Sequence, residues 1–127
     1  MKTFSRSWKS SKKVRKQRKY RSNLPLHLRS KLVHVHLSKE LHQKYNRRSV
    51  VVRLGDKVRV MRGKFRKSEG KVDRIDRKRE ALYITGIELI KKEGAKVLLP
   101  IHPSNVLIVE LKLDDKKRKE KLEVAKK

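Results

Sequence analysis

Apolar positions along this chain fall into short alternating runs, concentrated in its second half. In Asp56-Lys57-Val58-Arg59-Val60-Met61, Val58 and Val60 point to one face of an extended segment, while Lys57, Arg59 and Met61 point to the other. A segment bracketed by Gly63 and Gly70 follows, and apolar character returns at Val72 and Ile75. Residues 55–76, GDKVRVMRGKFRKSEGKVDRID, therefore read as strand, basic loop, strand, with glycines free to take positive φ. Val50-Val51-Val52 precedes this unit as a strand. After the polar connection 76–80 come β-prone runs at 81–85, 87–90, 97–101 and 106–111, separated by Gly86, the Glu93-Gly94-Ala95 turn and the His102-Pro103-Ser104-Asn105 turn. About five or six short strands joined only by turns predict a mainly β fold, a small antiparallel barrel that closes on itself to hide its edges. The barrel is expected over residues 49–111, with Val58, Val60, Val72, Ile75, Leu82, Ile84, Leu89, Leu99 and Ile108 in its core.

Residues 1–48 have a different texture. Asn23-Leu24-Pro25 followed by Leu26, Leu28 and Leu32 predicts a short helix near 24–32, with Pro25 in its first turn and His27, Arg29 and Lys31 on its other face. Ser38 as N-cap and Glu40 near the helix dipole predict a second helix over 38–45. Helices this short do not persist alone in water, so both must dock on the following domain or on a partner. The stretch SSKKVRKQRKYR, residues 10–21, has no apolar periodicity and reads as a basic extension that is disordered in isolation and becomes ordered along phosphates. Phe4, Trp8 and Tyr20 are available there to stack on exposed bases. The charged tail 112–127 mixes both signs, with Asp115 and Lys119 at helical spacing, and reads as a solvated helix or a frayed end.

Charge turns this outline into a functional reading. Lys and Arg number 39 against 13 acidic residues, a net charge of +26 with a pI near 10.9, which implies a polyanionic partner. Thirteen of those cations precede Glu40, the first acidic residue. Self-repulsion on this scale couples folding to phosphate neutralisation. The length of 127 residues suits one modest domain with tails. The absence of Cys excludes disulfides, Cys-based zinc sites and thiol catalysis. No apolar run approaches the ~18 residues of a membrane span, and the N-terminus lacks the apolar block of a secretory signal.

Candidate chemistry is sparse. His34-Val35-His36 places two imidazoles on one face of a strand, as a metal pair would require. With Glu40 the one nearby carboxylate, imidazoles on an RNA-facing surface are the simpler account. Asp73 and Asp76 lie among Lys71, Arg74 and Arg77, as charge-balancing residues do. No Ser/His/Asp arrangement or P-loop occurs, so neither catalysis, nor a cofactor, nor a metal is expected.

GDKVRVMRGKFRKSEGKV resembles a KOW motif, an RNA- and protein-binding element of ribosomal proteins and transcription elongation factors. RKQRK, PLHLRSKLV, LSKEL, the KOW unit and IHPSNV occur here in the order that resembles the universal KOW-containing family of the large ribosomal subunit, counted twenty-fourth in bacteria and twenty-sixth in eukaryotes. The likeness spans residues 12–111, and the long basic extension resembles the archaeal and eukaryotic branch. It implies a Src-homology-three-like barrel and an assembly protein that contacts the 5′ region of large-subunit rRNA near the outlet of the peptide exit tunnel. The implied partners are that rRNA, neighbouring large-subunit proteins and exit-site factors, with no homo-oligomer. The implied location is the cytoplasmic large subunit, or the nucleolus during assembly in a eukaryote.

Carried over by position, Arg62, Lys64, Arg66, Lys67 and Lys71 are loop contacts to phosphates, and His102, Ser104 and Asn105 form a second RNA-facing turn. Lys12, Lys13, Arg15, Lys16, Arg18, Lys19 and Arg21 of the extension, with His27, Arg29 and Lys31, complete the expected rRNA contacts. One departure stands out: the family usually has Gly where this chain has Lys67, which strains the loop if that position requires positive φ. The competing reading is a KOW-type elongation factor binding RNA polymerase and nascent RNA. Such proteins add a polymerase-binding domain for which 127 residues leave no room.

Overall fold

In the computed structural model, which describes residues 4–7 and 10–124, the alternating runs become eight strands. These are β1 (His34–Leu37), β2 (Ser49–Val51), β3 (Lys57–Val60), β4 (Glu69–Asp76), β5 (Ala81–Ile84), β6 (Glu88–Ile90), β7 (Lys96–Leu98) and β8 (Val106–Glu110). Four α-helices accompany them: α1 (Val14–Ser22), α2 (Leu26–Arg29), α3 (Lys39–Tyr45) and α4 (Lys116–Val124). Single 3-10 turns occupy Ser30–Val33 and Pro103–Asn105.

The fold is mainly β, as the sequence predicts, but the sheet is open rather than closed. Six strands run in the order β2-β1-β8-β3-β4-β5, and β6 and β7 form a separate hairpin. Neighbours are antiparallel except β1 and β8, which run parallel with His36 opposite Leu107 and Leu37 opposite Ile108. Closure into an antiparallel barrel fails because three-residue β2 and four-residue β5 end the sheet on opposite sides without pairing to each other. The gap is spanned by non-strand chain instead. Ile101 bridges to Leu82 of β5, and the Pro103–Asn105 turn packs against β1.

Strand alternation decides the core. Val35 and Leu37 of β1, Val58 and Val60 of β3, Val72 of β4, and Val106 and Ile108 of β8 all face inward, joined by Leu82 and Ile84. Ile75 and Leu99, expected in the core, are half-buried against it. Leu89 does not belong there: it is 43% exposed, opposite the equally exposed Val97, because the β6–β7 hairpin stands off the main sheet and meets the core through its flanking residues, buried Ile87 and half-buried Leu99.

The extension and the tail are more ordered than their composition suggests. Residues 14–22, expected to be disordered, form α1, consistent with the good helix propensity of Arg, Lys and Gln. It contains no acidic and no buried residue, so it is a cationic rod on the surface. Ser38 caps α3 as predicted, its Oγ accepting the Leu41 amide at 3.3 Å. The C-terminal helix is neither frayed nor wholly solvated. Leu122 is buried in the core, and Arg118, 5% exposed, reaches Asp56, which is fully buried. Two guanidinium nitrogens donate to the two carboxylate oxygens at 2.7 and 2.6 Å.

The connection between β3 and β4 is a tight hairpin loop. Val60 and the 67–68 segment close it, with Lys67 N–H donating to Val60 O at 2.8 Å and Val60 N–H donating to Ser68 O at 2.9 Å. Gly63 takes φ 86° and Lys67 takes φ 72°, so the position at which the sequence departs from the family it resembles does lie in the left-handed region. Gly70 serves a different purpose: a Cβ there would overlap the Thr85 carbonyl oxygen and crowd the Ile84 side chain.

These contacts set the stability of the fold in two testable places. Arg118→Ala strands the Asp56 carboxylate in the interior and lowers unfolding free energy by about 3–5 kcal/mol; urea unfolding checks this, and Arg53→Ala at its exposed ion pair with Asp115 is the control expected to cost far less. Lys67→Gly relieves a left-handed backbone that costs a residue with a side chain about 1–2 kcal/mol, and after glycine's larger entropy loss it raises stability by about 0.5–1 kcal/mol in the same assay.

Candidate nucleic-acid interface

The basic loop is held rigid from beneath. Turns at Arg66 N–H to Gly63 O (3.1 Å) and Ser68 N–H to Phe65 O (3.1 Å) fold it, while Phe65 packs half-buried against the core. That aromatic anchor was not singled out in the sequence, although an aromatic residue alone among cations was the available signal. With it fixed, Arg62, Lys64, Arg66 and Lys67 project as exposed side chains, and the Lys64 ammonium lies 6.0 Å from the Phe65 ring centroid. Lys71 is exposed on β4, opposite Lys57.

The second predicted turn is joined to this loop through the backbone. Met61 N–H donates to Asn105 O at 2.8 Å, so residues 61–68 and 102–105 form one surface. His102 and Ser104 are exposed on it, with His102 Nδ1 and Ser104 Oγ 2.8 Å apart, and Asn105 is half-buried. His102 Nε2 also lies 3.5 Å from a Glu80 carboxylate oxygen, and Arg21 of α1 lies 3.8 Å from that same oxygen. Glu80, at φ 54°, thus links the end of the cationic helix, the β4–β5 hairpin and the second turn.

The remaining candidates divide by what they already contact. Lys12, Lys13, Arg15, Lys16, Arg18, Lys19 and Arg21 are exposed on or just before α1. Phe4 and Tyr20 contact each other at a ring-centroid distance of 5.4 Å, and Trp8 lies outside the described residues. His27 and Lys31 are exposed. Arg29 is committed internally, donating to the carbonyls of Leu24 (2.9 Å), Ser22 (2.6 Å) and Lys78 (3.1 Å), and so clips α1 and α2 to the β4–β5 hairpin. His34 and His36 do stand together on the exposed face of β1. Burial, with the Arg47 and Lys31 charges nearby, holds the His34 imidazole below its ordinary pKa and favours its neutral form.

Electrostatics separate the loop from the sheet beneath it. On the sheet, cations meet acids: Arg59 Nε donates to Glu69 at 2.7 Å, and Lys57 reaches Glu110 at 3.0 Å and Glu69 at 3.8 Å. The Arg59 hydrogen bond holds the Glu69 carboxyl below the usual range, and the Glu110 hydrogen bond raises Lys57. Among the described residues, no carboxylate pairs with Arg62, Lys64, Arg66 or Lys67. A rigid loop of uncompensated cations beside a polar turn suits a phosphate backbone, which recognises charge and position. Nor do the described residues bring together three or more His, Cys, Asp or Glu side chains that could hold a metal. None of their helices is long and apolar enough to cross a membrane.

Comparison with known proteins identifies the family. A profile of the family described as ribosomal proteins L26 eukaryotic, L24P archaeal matches residues 11–125. The chain is 46% identical over 112 residues to a protein of Methanosphaera stadtmanae named large ribosomal subunit protein uL24, covering 88% of this chain and 96% of that one. It is 48% identical over 113 residues to a protein of the same name from Korarchaeum cryptofilum, covering 89% of this chain and 86% of that one. The match takes in the cationic helix, the basic loop, the second turn and the whole of the C-terminal helix α4, and the chain belongs to the ribosomal protein family that joins archaeal L24P with eukaryotic L26.

Proposed function

We propose that this protein is a non-catalytic scaffold of the large ribosomal subunit that binds the 5′ region of large-subunit rRNA near the peptide tunnel outlet and supports assembly. The observation that carries the reading is the joined surface of basic loop and second turn, whose exposed loop cations lack carboxylate partners among the described residues. Phosphate neutralisation supplies affinity, and the sheet, through Phe65 and the Met61–Asn105 bond, fixes where the cations stand. The α1 rod extends the same charge along a second line, and its Arg15, Lys16, Arg18 and Lys19 fasten a further stretch of RNA. RNA shape rather than base sequence gives specificity. The protein works in the cytoplasm as part of the ribosome, beside neighbouring large-subunit proteins.

Arg62→Ala, Lys64→Ala and Arg66→Ala together should weaken binding to a 5′ rRNA fragment and leave the unfolding transition in place; loss of that transition would mean that the loop cations are structural. Removing residues 1–22 should flatten the salt dependence of binding, the log–log slope falling by roughly 0.7–0.9 for each phosphate that the shortened chain no longer neutralises. A filter-binding series across salt concentrations reads it, and an unchanged slope would remove α1 from the interface. Crosslinks from position 64 that map away from the 5′ region would overturn the location.

A further inference from the structure

Between β1 and α3 lies a recess of about 370 Å³, lined by His36, Leu37, Lys39, His42, Gln43 and Arg48. None of these belongs to the loop, the turn or α1. We propose that this recess binds a single unpaired nucleotide of the RNA, an inference that rests on the rRNA-binding function above and names the structural element recognised.

The lining supplies a group for each part of a nucleotide. Leu37, 6% exposed, gives an apolar floor. The His36 and His42 imidazoles offer flat faces on which a base stacks. Lys39 and Arg48 offer cations for its phosphate, and the Gln43 amide offers both a donor and an acceptor for a base edge. Among the described residues, no carboxylate lines the recess. Its volume falls at the lower end of the roughly 300–1,000 Å³ typical of small-molecule sites.

The backbone builds this constellation rather than leaving it to mobile side chains. Alternation in β1 turns His36 outward beside buried Leu37. Lys39, His42 and Gln43 stand at i, i+3 and i+4 on α3 and so share one face. That helix is capped by Ser38 and fixed through buried Tyr45. Asn46, at φ 49°, ends α3 in the left-handed conformation and turns the chain back. Arg48 O then accepts the Leu37 amide at 3.1 Å, and Ser49 pairs with His36, which sets Arg48 beside the recess. A base stacked within a duplex is not available to enter such a site, whereas a bulged or looped-out base is.

The test uses the full chain and two short RNA hairpins with the same paired stem, one without a bulge and one carrying a single bulged 2-aminopurine. Stacking of one base predicts about tenfold tighter binding of the bulged hairpin, with a change in 2-aminopurine emission. His36→Ala with His42→Ala should abolish that preference and the emission change, leaving affinity for the paired hairpin unaltered. Gln43→Glu, on the exposed helix face, should do the same. Arg62→Ala, Lys64→Ala and Arg66→Ala should weaken both complexes and preserve their ratio. A preference that survives in the histidine and Gln43 variants overturns the proposal, as does equal binding of the two hairpins by the unaltered protein. Failure to bind either hairpin overturns the proposal, and failure to bind the 5′ rRNA fragment as well would overturn the RNA-binding function itself.

Discussion

The fold depends on how the Asp56 carboxylate is satisfied. A charge taken wholly out of water is destabilising unless it is paired and every acceptor site is used. Here the two oxygens accept the Arg53 amide at 2.8 Å, the Lys112 amide at 2.9 Å and both terminal nitrogens of Arg118. Arg118 in turn donates to Lys112 O at 2.8 Å and Val51 O at 3.3 Å. One carboxylate thereby fixes the turn entering β3, the chain leaving β8 and the C-terminal helix. Leu122, one helical turn further, completes the attachment by burial. The Arg118 Nε, buried without a partner, is the cost that this geometry leaves uncompensated.

Given a net charge of +26, the placement of the few acids matters as much as that of the cations. Glu69 and Glu110 neutralise Lys57 and Arg59 on the sheet, Asp115 meets Arg53 beside α4, and Asp76 accepts the Lys78 and Arg79 amides to hold its own hairpin. Acids therefore quieten the scaffold where strands must lie together. The loop at 62–67 is left without carboxylate partners among the described residues, and α1, whose Arg21 lies beside Glu80, carries no acid of its own. Their repulsion is tolerated because they project from the structure, and a phosphate backbone removes it.

Local rules made much of this legible from sequence. Alternation gave the strands from residue 49 onward and the inward face of β3, β4, β5 and β8, but not β1, which lies within the expected extension; the Ser38 cap gave α3, and the Gly-to-Lys departure located the left-handed residue at Lys67. What was not legible depends on pairs distant in the chain. Nothing near Asp56 distinguishes it from a turn aspartate, and nothing near Arg118 distinguishes it from its neighbouring lysines; only their meeting reveals the core ion pair. Leu89 was misplaced because alternation reports which residues share a face, not whether that face is covered. The openness of the sheet follows from short edge strands and a non-strand crossing, which turn chemistry does not encode. In the interface, the loop cations were visible as composition, but the commitment of Arg29 to three carbonyls and the Met61–Asn105 link required coordinates.

The ion pair also has a consequence for the order of synthesis. Asp56 leaves the translating ribosome long before Arg118, which lies 62 residues later. Throughout that interval the Arg118 guanidinium that pairs with its carboxylate in the finished protein has not yet been made. The cationic helix, basic loop and second turn have by then all been made. A nascent chain of this kind presents every RNA-facing element before its scaffold locks, and the lock closes only as the last helix emerges.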